Sequence, residues 1–336
     1  MPGLGHMTPD PILLIRDNIL ERGNPLGLPG EELCRWAKGI GIPQTGETIL
    51  YTGCEYQLLP YLPSLLELAE KMGPFGLKSG IFVGAAKALG RIGLDPARLL
   101  TSLTTRDKEL YDGLLQGFVR VLRGVGVDLS YLYEDEPYAG GLLYEFGFLE
   151  ELAAHAQRVY DIFKRRGVKR IITISPHSME LFRKVYPLYV DFDLTVLHYT
   201  QVIEEALQDG NLNLTLPFKT TVTIHDPCHL ARDLGIIEEP RSILQAVEGI
   251  DIKEVEPAHG RWTGCCGAPL EVLLPQIRGL VAQRRLEELK GTGAELILTL
   301  CPFCYFNFRR DLQGSGAGVE AKDLIEILDE AIHGNG

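Results

Sequence analysis

The chain has 336 residues, 45% of them hydrophobic, and its 45 acidic residues outnumber 33 basic ones to give a net charge of −12. This charge opposes binding to nucleic-acid phosphates, and no apolar run is long enough to cross a bilayer, so we expect neither a nucleic-acid partner nor a transmembrane segment. The start of the chain lacks the apolar stretch of a secretory signal, which predicts a cytoplasmic protein that reaches a membrane only peripherally, through its partners.

The first 46 residues mix short helical patterns with turn-forming glycine and proline, and we interpret residues 1–46 as an N-terminal arm or linker. Beyond them, β-prone apolar runs alternate with amphipathic helical stretches, which is typical of α/β units with mainly parallel sheets. The alternation occurs twice, in residues 47–216 and 217–336. The sequence therefore predicts an α/β fold of two pseudo-repeated domains.

The two halves align at their cysteine and serine turns. Cys54 aligns with Cys228 at an offset of 174 positions, whereas Ser175 aligns with Cys301 at an offset of 126. The smaller offset locates an insertion in the first half after Cys54, where helical periodicity predicts extra helices. A duplication followed by divergence accounts for this pattern.

The first half lacks most of the cysteines that the second half carries. Tyr138-Ala139-Gly140 stands in place of Cys265-Cys266-Gly267, and both cysteines of the later turn are replaced by serine. Because a hydroxyl is a poor ligand for a site built on soft thiolates, we expect no metal cluster there. We interpret Cys34 and Cys54 as small buried hydrophobes, since Cys54 with His177 falls short of the four ligands that zinc usually takes.

Five cysteines of the second half form the strongest motif in the chain: Cys228, Cys265, Cys266, Cys301 and Cys304. Each group follows a predicted strand or lies in a glycine-rich turn, so all five can meet at the carboxyl edge of one parallel sheet. Pro302 suits the first turn of a helix, whose positive end would favour thiolates at the cysteines beside it. Zinc would leave one thiol spare, whereas a set of five favours an iron–sulfur cluster.

Two histidines flank the first of these cysteines and are the candidate catalytic residues. His225 and His229 could donate a hydrogen bond to a cluster sulfur or protonate a substrate thiolate. Ordinary capping of the loop is the alternative role for both.

The segments HDPCH (225–229), CCG (265–267) and CPFC (301–304) resemble the CCG-type cysteine-rich domain, whose best-known members are the B and D subunits of heterodisulfide reductase. The resemblance extends over about residues 47–312. It implies that the five cysteines bind one [4Fe-4S] cluster, noncubane or cubane, that serves electron transfer or disulfide–thiol chemistry. The reductases of the family are thought to cleave a CoM-S-S-CoB disulfide between two such clusters, and here only one set of ligands is retained.

The resemblance also implies a subunit of an oxidoreductase complex. We expect a ferredoxin-like iron–sulfur subunit as a partner, because the ferredoxin module of the D-type proteins is not among these residues, and a flavoprotein subunit as a further partner. One alternative is an electron relay like that of glycolate and lactate oxidation, without disulfide chemistry. Another, of a different class, is a non-catalytic assembly subunit braced by zinc in the second half.

Overall fold

The computed structural model describes residues 8–67, 107–210, 212, 214–271, 274–316 and 318–334. Its strands form two parallel sheets. The first sheet contains β1 (Thr48–Tyr51), β2 (Arg170–Thr173) and β3 (Thr195–His198), in the order β1-β2-β3. The second contains β4 (Leu214–His225), β5 (Val247–Ile252), β6 (Leu296–Thr299) and β7 (Glu320–Asp323), in the order β5-β4-β6-β7. The predicted α/β class is confirmed.

The strand pairing repeats between the halves with the offsets read from the sequence. Thr48 of β1 pairs with Arg170 of β2, and Val222 of β4 pairs with Leu296 of β6. Positions 48 and 222 differ by 174, and positions 170 and 296 differ by 126. Strands β1 and β2 therefore correspond to β4 and β6, although β1 lies at the edge of its sheet and β4 lies between β5 and β6.

Helices follow most of the strands and connect them. Among the described residues of the first half, the α-helices are α1 (Asp10–Arg22), α2 (Gly30–Leu33), α3 (Glu55–Leu58), α4 (Lys108–Gly124), α5 (Gly141–Glu145), α6 (Leu149–Arg165), α7 (Pro176–Glu180) and α8 (Tyr199–Gln208). Those in the second half are α9 (Glu238–Gln245), α10 (Pro275–Lys290), α11 (Pro302–Leu312) and α12 (Leu324–His333). The described chain also contains π-helical turns at Leu181–Val185 and His229–Asp233, and the second of them packs against α7 of the first half.

Some elements differ from the prediction for identifiable reasons. The apolar run at 127–133 resembles a strand in the sequence but makes only an isolated bridge between Ile49 and Ser130, because the next backbone N–H, of Tyr131, donates to the Pro43 carbonyl outside the sheet. The helical periodicity of residues 142–166 is divided between α5 and α6 at Gly147, whose φ is 78°. The helical insertion is described only in part, as α4, and residues 68–106 lie outside the described chain.

One hydrophobic core extends across both sheets. Helix α4 of the first half packs against α12 of the second, and Phe118 of α4 and Leu328 of α12 are fully buried. The segment interpreted as an arm contributes to the same core, since Trp36 is buried and its Nε1 donates to the Tyr131 hydroxyl at 3.3 Å. Within the described ranges, no helix is both long enough and apolar enough to cross a membrane.

Candidate metal centre

The cysteine turns of the second half follow two neighbouring strands. His225 at the end of β4 lies beside Thr299 at the end of β6, and the chain reaches Cys228 and Cys301 just beyond these ends. The loop that carries the adjacent cysteine pair packs over the same edge, because the Asn307 side chain of α11 donates to the Cys266 carbonyl at 3.2 Å. Parallel strands and one loop thus deliver cysteines to one sheet edge.

Cys266 lies at the centre of the sulfur contacts. The Cys304 thiol donates to the Cys266 sulfur, with the two sulfur atoms 3.2 Å apart. Cys265 also forms a side-chain hydrogen bond with Cys266, and Cys301 forms one with Cys304. Cys266, Cys301 and Cys304 are buried, whereas Cys228 and Cys265 are half-buried and form the open side of the site.

The electrostatics concentrate negative charge on one sulfur. Hydrogen bonds from Cys265 and then from Cys304 lower the pKa of Cys266 well below the ordinary thiol value, against the effect of its burial. The bond to Cys266 correspondingly raises the pKa of both donors. Burial, with the nearby charges of Cys266 and Cys301, raises the pKa of Cys228 to about 12. A positively charged metal group is what such crowded sulfurs need in order to ionise together.

His225 stabilises the thiolate of Cys266. The Arg285 Nε donates to its Nδ1 at 3.3 Å, which leaves Nε2 to carry the ring proton, and the ring also hydrogen-bonds with Cys266. Burial lowers the pKa of His225, whose side chain is 1% exposed. His225 is therefore placed to orient and stabilise a sulfur, and its burial keeps it from meeting a substrate in solvent.

An ion pair fixes the loops around the cysteines. Both carboxylate oxygens of Asp226 accept from Arg241, at 2.8 and 2.9 Å, and one also accepts from the Gly260 backbone at 2.6 Å. The Thr263 hydroxyl donates to the Asp226 carbonyl at 3.0 Å. Asp226 thereby ties the end of β4 to the loop that leads into the cysteine pair.

Backbone conformation also prepares the site. Cys301 is the N-cap of α11 and Pro302 occupies its first turn, as predicted, so the positive helix end faces Cys301 and Cys304. Gly267 adopts a φ of 86°, and a Cβ there would lie 2.8 Å from the Arg278 carbonyl oxygen. The Gly267 N–H then points at the Cys265 sulfur, 3.3 Å away. Glycine is required at this position for the turn that presents the pair.

His229, the second candidate histidine, faces the first half of the chain. Its Nδ1 forms a short hydrogen bond with Glu180, and Asp233 lies 3.7 Å away. Burial lowers the pKa of His229, but Glu180, Glu145 and Asp233 reverse that effect, and the pKa is raised overall. His229 lies one residue from Cys228 but is held by carboxylates.

The equivalent place in the first half contains a carboxylate. Glu55 follows Cys54, and its Oε1 accepts hydrogen bonds from Ser175 and Ser178, the two residues aligned with the cysteines of the CPFC turn. Burial raises the pKa of Glu55, although His177 and the serine hydroxyls oppose this. Cys34 and Cys54 are both buried, at 1% exposure, in agreement with their interpretation as small hydrophobes.

A second buried carboxylate of the first half predicts how stability depends on pH. Glu136 accepts from the backbone and hydroxyl of Thr52 and from the Tyr131 hydroxyl, and burial raises its pKa from 4.5 to about 7. Because the folded pKa exceeds the unfolded one, its stabilising effect is complete below pH 4.5 and is lost as the pH rises through 7. The free energy of unfolding falls by roughly 3 kcal/mol at most over this pH range.

We therefore expect Glu136→Gln, which mimics the neutral carboxyl, to flatten the fall in thermal midpoint between pH 5 and pH 8. A change on the order of 5 °C in that fall is expected. Melting curves of the holoprotein at one scan rate would measure it, with Glu150→Gln on the exposed side of α6 as the control. Identical pH profiles for Glu136→Gln and the unaltered chain would contradict the prediction.

Comparisons with known proteins agree with the cysteine pattern. A family model described as a cysteine-rich domain, CCG, matches residues 222–309. The "Probable iron-sulfur-binding oxidoreductase FadF" of Bacillus subtilis is 30% identical over 225 residues, which cover 65% of this chain and 31% of the relative. The D-type chain of the dihydromethanophenazine:CoB–CoM heterodisulfide reductase of Methanosarcina acetivorans is 27% identical over 223 residues, covering 63% and 54%.

A further relative has a name from another reaction. The "EtfAB:quinone oxidoreductase" of Syntrophomonas wolfei is 28% identical over 233 residues, which cover 66% of this chain and 32% of the relative. The chain thus spans between about a third and about half of the length of these three relatives. The resemblance to iron–sulfur oxidoreductases of the heterodisulfide reductase type is confirmed.

Proposed function

We propose that the second half binds one [4Fe-4S] cluster and transfers electrons as a subunit of a heterodisulfide-reductase-like oxidoreductase. Residues 222–309, which match the cysteine-rich domain family, support this proposal. The proposed ligands are Cys228, Cys265, Cys266, Cys301 and Cys304. The observation that carries the proposal is the contact of Cys266 with Cys304, supported by hydrogen bonds from Cys265 and His225. Soft thiolate donors of this number suit an iron–sulfur cluster better than zinc.

When bound, the cluster would supply one-electron transfer and, at an open iron, an acceptor for a sulfur atom. The protein's own contribution is to orient and bury the ligands. His225 and the N-terminus of α11 stabilise negative sulfur, and hydrogen bonding of this kind raises the reduction potential of a cluster. The half-buried Cys228 and Cys265 mark the side from which a partner or a disulfide would approach.

Anaerobically purified protein should contain about four iron atoms and four acid-labile sulfides per chain and show an EPR signal in one redox state. Iron and sulfide analysis together with EPR spectroscopy measures this directly. Protein that carries zinc on its cysteines without sulfide would refute the proposal and favour an assembly subunit.

A second candidate function is electron relay without disulfide chemistry. It is favoured by the serines and the carboxylate of Glu55 in the first half, where a two-cluster reductase would need a second set of thiolates. Reoxidation of the reduced holoprotein by a low-molecular-weight disulfide, set beside its reduction by a ferredoxin or a reduced flavoprotein, separates the two functions. A relay would accept electrons from these donors and leave the disulfide intact.

A further inference from the structure

An exposed tryptophan lies beside the cysteine pair. Trp262, three residues before Cys265, is 82% exposed. Eight large hydrophobic side chains are exposed in the part of the chain that the structure describes, and half of them fall within one stretch of the second half: Trp262, Leu274, Ile277 and Leu280. A single exposed hydrophobic residue is ordinary, whereas a group of them in a short stretch marks an interaction site.

The tryptophan loop and helix α10 border on one another. The exposed side of α10 carries, at helical spacing, Ile277, Leu280 and Arg284. Glu288 lies one turn beyond Arg284, and its Oε1 is 3.6 Å from the Arg284 Nε. A Cβ at Gly264 would lie 3.3 Å from the other oxygen of Glu288. Because Gly264 is two residues from Trp262, the exposed side of α10 continues into the loop.

This surface has an excess of positive charge, although the chain as a whole carries −12. Arg232 and Arg261 are both exposed, and neither forms an ion pair with any residue that the structure describes. Arg232 donates to the carbonyls of Arg261 and Thr263, at 3.5 and 2.8 Å, so the two guanidinium groups belong to neighbouring parts of one loop cluster. The arginines of α10 have glutamates beside them, so the excess charge comes from Arg232 and Arg261.

Arg232 also connects the surface with the open side of the candidate metal centre. Burial raises the pKa of Cys228, and the charge of Arg232 opposes this rise, so the guanidinium lies within electrostatic range of that sulfur. Cys228 and Cys265 are the half-buried cysteines of the set. A protein that contacts Trp262 would therefore lie at the side from which electrons reach the cysteines over a short distance.

The charge indicates what kind of partner fits this surface. In a two-fold dimer, a second copy of the chain would bring the same basic residues against each other, and two chains of −12 repel. An acidic protein is instead attracted to Arg232 and Arg261. Tryptophan and arginine are also the side chains that most often dominate binding energy at interfaces. A small apolar patch with basic neighbours suits the limited contact area of redox encounters.

We propose that an acidic electron carrier of the ferredoxin type docks on a surface formed by Trp262, Ile277, Leu280, Arg232 and Arg261. The role of this surface rests on the proposed function, because a chain that transfers electrons needs a donor beside its cluster. The apolar side chains supply the contact area. The arginines select an acidic partner and accelerate its association.

Titration calorimetry of the holoprotein with an oxidised, strongly acidic bacterial ferredoxin measures docking without electron transfer. We expect saturable binding at about 0.02 M salt that weakens roughly tenfold at about 0.2 M, since salt screens exposed charges. Trp262→Ala should raise the Kd about tenfold or more, because it removes the largest apolar contact. Arg261→Glu should raise the Kd by a similar factor and reduce its salt dependence.

Leu188→Ala and Lys219→Glu are the matched controls. Leu188 is 73% exposed in the first half, and Lys219 is an exposed cation six residues before the end of β4. Both variants should keep the Kd of the unaltered chain. Iron content and reduction by dithionite should be the same in every variant. Protein without iron would refute the proposed function, whereas the Kd values test the docking surface.

Undiminished ferredoxin binding in both Trp262→Ala and Arg261→Glu would overturn the docking surface, and so would the absence of binding at low salt. Vesicles of phosphatidylserine and phosphatidylcholine that bind the unaltered chain but not Trp262→Ala would assign the surface to a membrane instead. A dimer in sedimentation that dissociates in Trp262→Ala would assign it to a second copy of the chain.

Discussion

Replacing Cys266 by serine should remove most of the iron and acid-labile sulfide from the purified chain. Cys266 accepts hydrogen bonds from two other cysteines and from His225, so it is the sulfur that the surroundings hold in the ionised form. A serine hydroxyl is a hard, weakly acidic group and a poor substitute for a thiolate ligand. We expect iron to fall to about a tenth of the unaltered level or less, with loss of the visible absorbance.

Cys34→Ser is the matched control for this substitution. Cys34 is also buried, but its sulfur lies 3.8 Å from the Glu31 carbonyl oxygen, and burial raises its pKa to about 12. The control should retain its iron and colour. Circular dichroism of both variants would show whether the fold survives, and a folded Cys266→Ser protein with undiminished iron would remove Cys266 from the ligand set.

Replacing Arg241 by methionine should strongly lower the free energy of unfolding. Its guanidinium is 9% exposed and pairs with Asp226, itself 2% exposed, and with Glu254 at 2.7 Å. Removal of one member of a buried pair leaves an uncompensated charge and typically costs about 3–5 kcal/mol. We expect the thermal midpoint to fall on the order of 10 °C.

The same substitution should also make the iron easier to remove, since Asp226 holds the loop that leads to Cys265 and Cys266. The rate of bleaching by an iron chelator measures this effect. Lys164→Met breaks the exposed pair with Asp193 and should leave both the midpoint and the bleaching rate unchanged. Equal behaviour of the two variants would show that the Asp226 pair does not anchor the loop.

The repeat and the cysteine turns could be predicted because their signals are local. The turns at Cys228 and Cys301 each follow an apolar strand, and the register of Thr48 with Arg170 and of Val222 with Leu296 reproduces the spacing of the motifs. Strand β7, with the sequence EAKD, could not be predicted because its residues are not typical of a strand. Pairing with β6 imposes the extended conformation there.

The side chains that support the cysteines could not be predicted from local patterns. His225 and Arg285 are 60 positions apart and meet only through the packing of α10 on the sheet. One signal was present in the sequence, since Arg285 shares the buried face of α10 with Ala282 and Leu289. A charged residue on an apolar helical face indicates a buried partner, although it does not identify which one.

The shared core has a consequence for the history of the chain. Helix α12 ends the second repeat and covers part of its sheet, yet its apolar face rests on α4, which belongs to the first repeat. A gene that discarded the first repeat after its ligands were lost would have exposed Ile325 and Leu328 to water. Selection could therefore remove the thiolates of the first copy but not the copy itself, because its helices cover the apolar face of the second copy.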